Sequence, residues 1–410
     1  MRRTDEFVSY GTLPLSWVSL DIRAYTAAGD PDWSTLILFI RKEMPFLIKL
    51  NSHHPLNSNF HAAVQSRLDR FIAAQHDLLA LTGDRLDLVW DQVRHFAGGG
   101  KRIRPAFCYW GYVAATEGNE EPSKAVLDVA ASLDLLHMSA LIHDDLVDDS
   151  DTRRGGPSAH RLAEAVHRNE HWQGDSEHFG KSAAVLLGDI LFTWSVSMAE
   201  QASLSKDQLK RARPYLDVMR SEVLAGQFLD LFAETKPLSA EDVIADARMV
   251  MEYKTAKYTV ARPVQIGAAL GMANEDMLQS LGVFGNHIGQ AFQMRDDVLG
   301  VFGDPEVTGK PAGDDIRAGK KTLMIGYALR DATPNQVIRL ENLLGKQDLR
   351  DSEIEQARHI LVSSGAVQNT EKAIAAEAAA GMRLLNRLHL SAEGTQALMG
   401  LVHASVERTA

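Results

Sequence analysis

From about His61 onward, apolar residues recur at helical spacing in long segments separated by short breaks, and strict alternation of apolar and polar positions is scarce. Between Leu127 and Ile142, for instance, Leu127, Val129, Ala130, Leu133, Leu136, Ala140 and Leu141 cover one broad helix face. Gly98-Gly99-Gly100 ends one helix, Gly155-Gly156-Pro157 ends the helix that follows, and Ser239 with Asp242 resembles a capping box opening another. No Pro-, Gly- or Ser-rich linker and no fixed-period repeat divides this part, so the pattern predicts an all-α fold with one large helical domain over residues 61–410. Residues 1–60 are broken by Gly11, Pro14, Gly29-Asp30-Pro31 and His53-His54-Pro55 and form an N-terminal extension of unassigned role. Within it, residues 32–50 set Leu36, Ile37, Leu38, Phe39, Ile40, Phe46 and Leu47 against Arg41, Lys42 and Lys49. Two readings stay open there: peripheral contact with a membrane surface, or packing on the core or a partner, which Pro45 favours because it interrupts the stripe.

The longest uncharged run, Met277 to Met294, has spanning length but carries Gln279, Asn286, His287, Gln290 and Gln293. It reads as a buried soluble helix, so no transmembrane segment is expected. The 410-residue chain is 45% hydrophobic and 24% charged, an ordinary globular composition. Its net charge of −11 argues against nucleic-acid binding over a broad basic surface. Any anionic ligand must be held locally. The single Cys108 excludes an intrachain disulfide, and with no secretory signal in view the expected location is the cytoplasm.

The densest chemical signal runs from His143 to Gly155. Asp144 and Asp148 are i, i+4 neighbours on one helix face, and Asp145 and Asp149 on the adjoining one. Carboxylates stacked at the C-terminal end of an apolar helix repel each other and the helix dipole, so either solvent or a bound cation must compensate them. Asp296-Asp297 at the end of a second apolar segment repeats the arrangement. Two such clusters suggest two walls of one site, and oxygen ligands of this kind select a hard cation, magnesium above all. Basic residues stand where a phosphate needs them: Lys101, Arg102 and Arg104, Arg153 and Arg154, Lys254 and Lys257, then Lys310, Lys320 and Lys321. For Arg102, Lys257 and Lys321 an exposed structural role is the stronger expectation. Neither Gly100-Lys101 nor Gly309-Lys310 completes a P-loop.

Gly99-Gly100-Lys101-Arg102-Ile103-Arg104-Pro105, the Asp144–Gly155 cluster, Gly226-Gln227-Phe228-Leu229-Asp230, Lys254-Thr255, and Gln293 to Asp297 followed by Gly303-Asp304-Pro305 and Gly309-Lys310 together resemble the trans-isoprenyl diphosphate synthases, or polyprenyl synthetases. The resemblance covers residues 61–405 and departs at Gly300, where many members carry Asp. It implies a helical bundle around an apolar cavity and head-to-tail condensation of isopentenyl diphosphate with an allylic prenyl diphosphate. By the same resemblance, Asp144, Asp145, Asp148, Asp296 and Asp297 would hold two or three magnesium ions, supported by Asp230. Arg153, Lys254, Lys310 and Lys320 would contact the allylic diphosphate. Lys101, Arg104, His137 and Arg154 would bind isopentenyl diphosphate, and Thr255 and Gln293 would face the reacting carbons. A homodimer is implied too. Ser139 and Ala140, small residues at the positions where the family places the floor under the growing tail, point to geranylgeranyl diphosphate or a longer product. A class I terpene cyclase, a noncatalytic partner subunit and a helical diphosphate hydrolase are the rival readings. Gly300 is expected to be tolerated, with Gly300→Asp changing the rate only modestly.

Overall fold

Helix boundaries follow local chemistry. Asn57 caps α1 (Ser58–Leu78) by accepting from the Phe60 amide, and the Gly98–Gly100 run ends α2 (Asp87–Ala97), with α3 (Ile103–Ala115) beginning three residues later. The structure, a computed structural model, describes residues 50–116, 124–303, 313–346 and 348–407. All of them fall in one compact unit that begins at Leu50, earlier than His61. Leu50 is buried, and the Pro55 carbonyl accepts from the Trp110 indole at 3.2 Å, so residues 50–60 are part of the helical body rather than of an extension. Residues 32–49, where membrane contact was considered, lie outside the described residues.

Beyond α3 come α4 (Lys124–Val147), α5 (Ala159–Asn169), α6 (Ser176–Glu200), α7 (Lys206–Thr235) and α8 (Ala240–Val250). A π-helical stretch, Met251–Ala261, leads into α9 (Arg262–Leu270), α10 (Glu275–Phe302), the short α11 (Asp314–Arg317), α12 (Leu323–Asp331), α13 (Pro334–Glu341), α14 (Asp351–Ser363), α15 (Ala366–Leu385) and α16 (Ala392–Val406). The uncharged run from Met277 to Met294 sits inside α10. Gly155-Gly156-Pro157 does more than end a helix. Thr152–Arg153 pairs antiparallel with Gly156–Pro157, a two-stranded turn that presents Arg153.

The core forms around α4, which packs on α6, α3 and α1, while α10 packs on the π stretch and α15. α4 and α6 are each long and apolar enough to cross a membrane by length and composition. In α4 that apolarity is spent on the bundle, with Leu133, Leu135, Met138 and Ile142 at most 2% exposed. α6 is less covered, and Val185 and Leu186 on it are exposed.

Candidate active site

A cavity of about 770 Å³ opens between α3, α4, α7, the π stretch, α10 and α11. On α4 it is lined by His137, Ala140, Leu141 and Asp144, spaced i, i+3, i+4, i+7 on one face. Opposite them stand Gln293, Asp296, Asp297 and Gly300 of α10. The two acidic clusters therefore face one space, as their sequence pattern suggested.

The π stretch carries Lys254, Thr255 and Tyr258 into the cavity. Sequence periodicity gave no sign of this widening, which is characteristic of functional sites. Two glycines seat it. A Cβ on Gly226 of α7 would run into the backbone of Tyr253 and Lys254, and one on Gly289 of α10 into that of Ala256. Gly226 of the Gly-Gln-Phe-Leu-Asp segment is thus explained by the close approach of Lys254.

The Lys254 ammonium donates to Asp144 at 3.0 Å and to Asp230 at 2.5 Å. Burial alone would raise the Asp144 carboxyl, but Lys254, Lys320 and Arg153 outweigh it and hold it at about 2. Asp148, one turn on, is pushed up by burial and by the Asp144 charge. Asp145 does not join them: it is wholly buried and gripped by Arg153 through Nε and Nη2. It faces the Thr152–Gly156 turn rather than the cavity, because 100° per residue turns it away from Asp144. Its role is to orient Arg153, which does line the cavity, and not to ligate a metal.

At the second wall the Gln293 amide donates to Asp297 at 2.7 Å while accepting from Thr255 at 2.6 Å, which makes a chain from the π stretch to α10. Burial and the nearby Asp315 raise the Asp297 carboxyl to about 8. Lys320 also reaches the cavity; burial disfavours its charge, yet Asp315, Asp144, Asp148 and Asp230 outweigh burial and hold the ammonium above the usual lysine range. A Cβ on Gly300 would overlap the Asp315 carboxylate. Gly300→Asp therefore requires the Asp315 side chain to move aside.

A third group sits beside these walls. Lys101 and Arg104 line the cavity next to His137 and Tyr258. Arg104 lies 4.1 Å from the Tyr258 ring centre and donates to Thr259 at 2.8 Å, yet its Nε is buried without a protein hydrogen-bond partner. An orphaned guanidinium nitrogen on an arginine that lines a cavity fits an anionic ligand. His137 lies 3.2 Å from the Tyr258 hydroxyl. Burial, then Arg104 and its neighbouring arginines, push the His137 imidazole well below its usual value, so it is neutral. Burial raises the Tyr258 hydroxyl to about 12.

Other basic residues have structural duties. Arg154 donates to the Phe96 carbonyl at 2.9 Å and packs against Gly99 and Gly100. It supports the loop presenting Lys101, and its charge acts on His137 and Arg104 beside that loop. Arg102 is buried on Asp134, Gln65 and the Ala97 carbonyl, and Lys257 pairs with Glu252 and Glu222. The Lys321 ammonium caps the end of α7 through the carbonyls of Ala233 and Glu234. Lys310 lies outside the described residues. Of the two small residues expected under the tail, Ala140 lines the cavity; Ser139 is 2% exposed and buried among helices.

The residues fit magnesium by donor chemistry. Among the described residues no three His, Cys, Asp or Glu side chains converge on one point, so an ion here would take one or two carboxylates and complete its shell from diphosphate and water. Asp144, ionised at any working pH, and Asp296 across the cavity are the carboxylates so placed.

The polyprenyl synthetase family profile matches residues 88–361. A short chain isoprenyl diphosphate synthase of Methanocaldococcus jannaschii is 33% identical over 68% of this chain and 78% of its own. A geranylfarnesyl diphosphate synthase of Aeropyrum pernix is 32% identical over 81% and 97%. Among solved structures, geranylgeranyl pyrophosphate synthase from Corynebacterium glutamicum, complexed with isoprenyl diphosphate and magnesium, superimposes with a TM-score of 0.81 at 37% identity, covering 88% of this chain and 100% of that one. The chain belongs to the polyprenyl synthetase family and is a trans-prenyltransferase that makes prenyl diphosphates.

Proposed function

We propose that this polyprenyl synthetase extends an allylic prenyl diphosphate with isopentenyl diphosphate as far as geranylgeranyl diphosphate. The observation that supports the reaction geometry is the single cavity in which two acidic walls face each other while a separate Lys101–Arg104–His137 group sits to one side. The two substrates need different treatment. One diphosphate must leave and the other must stay, so only one should meet the carboxylates.

The Asp144–Lys254–Asp230 chain and Lys320 form the allylic side. Magnesium bound there, two or three ions by family analogy, supplies positive charge to the departing diphosphate. Lys254, Lys320 and Arg153 are held in place by their acidic partners before substrate arrives, so their charges need no reorganisation. On the other side Lys101 and Arg104 hold isopentenyl diphosphate with fixed donors. With Tyr258 donating to Nδ1, neutral His137 keeps a proton on Nε2 for the same anion. Ala140, Leu141, Val223, Val250 and Met251 give apolar wall that keeps water from the allylic cation.

Chain length is read from α4. Ala140 leaves the first turn below Asp144 open, and the next residue of that row, the bulky and buried Leu136, lies roughly 12 Å from the acidic end. This favours a product longer than farnesyl diphosphate and of limited length. Incubation with magnesium, farnesyl diphosphate and labelled isopentenyl diphosphate tests it. A 20-carbon diphosphate is expected; a hydrocarbon, free phosphate or a much longer diphosphate would refute it.

A second copy of the chain is the proposed partner, as the family implies. Leu224, Phe228 and Phe232 make an exposed stripe on α7, with Phe228 and Phe232 stacked, and Val185 and Leu186 are exposed on α6. Sedimentation equilibrium should give a dimer, and Phe228→Glu should yield monomer.

A further inference from the structure

The cations that line the cavity are restrained in two different ways. Lys254, Lys320 and Arg153 each pair with an aspartate, which holds the side chain in place and offsets part of its charge. Arg104 is held by neutral groups instead. Its Nη2 donates to the Thr259 hydroxyl at 2.8 Å and its Cζ stands 4.1 Å from the Tyr258 ring centre, while among the described residues no carboxylate pairs with it. A contact on the face and a bond at one nitrogen fix the plane of the guanidinium and leave its whole charge, with the unpartnered Nε, for a ligand.

The Thr259 hydroxyl has a fixed seat. Thr259 belongs to the π stretch, and α10 presses close on either side of it: a Cβ on Gly289 would run into Ala256, and one on Gly285 into Ala261. Thr259 is 0% exposed, so it touches nothing in the cavity and can act on a ligand only through Arg104. A diphosphate that is held without metal and must not depart needs cations that are both fixed and uncompensated. An aspartate at this position would fix Arg104 as well as a threonine does, but would cancel the charge it presents. We infer that Thr259 is a positioning residue for isopentenyl diphosphate: its hydroxyl, with the Tyr258 ring, keeps the Arg104 guanidinium in place without neutralising it and thereby sets the affinity for the diphosphate that is bound without metal.

This inference rests on the reading of Lys101, Arg104 and His137 as the isopentenyl diphosphate side, and calorimetric titration of the full-length protein with isopentenyl diphosphate in EDTA separates the two. Absence of wild-type binding would overturn both. With wild type binding, Thr259→Val, which keeps the shape and removes the hydroxyl, should weaken binding about tenfold. In magnesium it should raise the KM for isopentenyl diphosphate by a like factor, while kcat and the KM for farnesyl diphosphate stay within about twofold of wild type. Thr259→Ser, which keeps the hydroxyl, should bind within about twofold of wild type. In an Arg104→Met background, read by kcat/KM for isopentenyl diphosphate, Thr259→Val should cost nothing further, because no guanidinium is left for the hydroxyl to hold. Unchanged affinity in Thr259→Val, an equal loss in Thr259→Ser, a matching rise in the KM for farnesyl diphosphate, or full additivity with Arg104→Met would each overturn the role of Thr259 and leave the reading of that side standing.

Discussion

At the end of α4, Asp144 meets Lys254 and Asp145 meets Arg153, so the first wall is a lattice of charge pairs drawn from three elements. At the end of α10, Asp297 takes a neutral amide from Gln293, and a further carboxylate from α11 crowds against Gly300. The carboxyls respond in opposite directions: Asp144 is held at about 2, while Asp297 is raised to about 8. An Asp-Asp pair after an apolar helix therefore says little about charge state, which depends on whether other elements bring cations or carboxylates to it. Lysine and arginine keep the first wall ionised, whereas at the second wall Asp297 sheds its charge by taking up a proton unless a cation is brought to it.

Removing carboxylates tests this contrast most severely. Asp144→Ala and Asp296→Ala should each lower turnover by orders of magnitude in magnesium, with the circular dichroism spectrum kept, because each takes away a ligand for charge that develops in the transition state. Near-normal turnover of Asp144→Ala would break the two-wall account.

Lys254→Met should cost roughly a hundredfold in turnover and should also change its pH dependence. Without the lysine the Asp144 carboxyl rises from about 2 toward and past the ordinary carboxylate range, so ionised Asp144 is lost at a higher pH. The acid limb of the rate profile should move upward, with more activity lost at pH 5 than at pH 8. An unmoved acid limb would mean that Lys254 does not set the state of the first wall. The matching change at the second wall, Gln293→Leu, should leave that limb in place, since it removes no cation.

Gly300→Asp is expected to cost about 1–3 kcal/mol, seen as a melting temperature lowered by a few degrees, from overlap and like charge against Asp315. A variant as stable as wild type would show that Asp315 yields easily and that the second wall is loosely built. The smallest effect on rate belongs to the floor. Ala140→Phe should shift the product toward farnesyl diphosphate with condensation retained, whereas Ser139→Phe should destabilise the protein without shifting the product, as read by mass spectrometry.

Much of this was legible in the chain. Helical spacing from His61 onward announced the bundle, and Ser239 does cap α8 through the Asp242 amide at 3.2 Å. Asp144, Asp296, Asp297, Lys101, Arg104, His137, Lys254, Thr255, Gln293 and Lys320 all line the cavity, and within each helix this follows because residues at i, i+3 and i+4 share a face whatever the tertiary setting. Asp145 went astray for a local reason. A motif states which residue types are near in sequence, and the next residue on a helix points about 100° away. Asp314-Asp315, five residues before Lys320, was the available signal for the carboxylate beside Gly300 and carries no periodicity to single it out.

The sequence by itself determined the helical class, the two acidic helix ends and the inventory of cations, since these depend on local periodicity and composition. Only the tertiary structure decided which carboxylate meets which cation, where the π stretch aims Lys254 and Thr255, and that Asp315 fills the space at Gly300. Those outcomes turn on approaches of a few ångströms between segments as far apart as Asp144 and Lys254, and electrostatic interaction depends on distance in space rather than on separation along the chain.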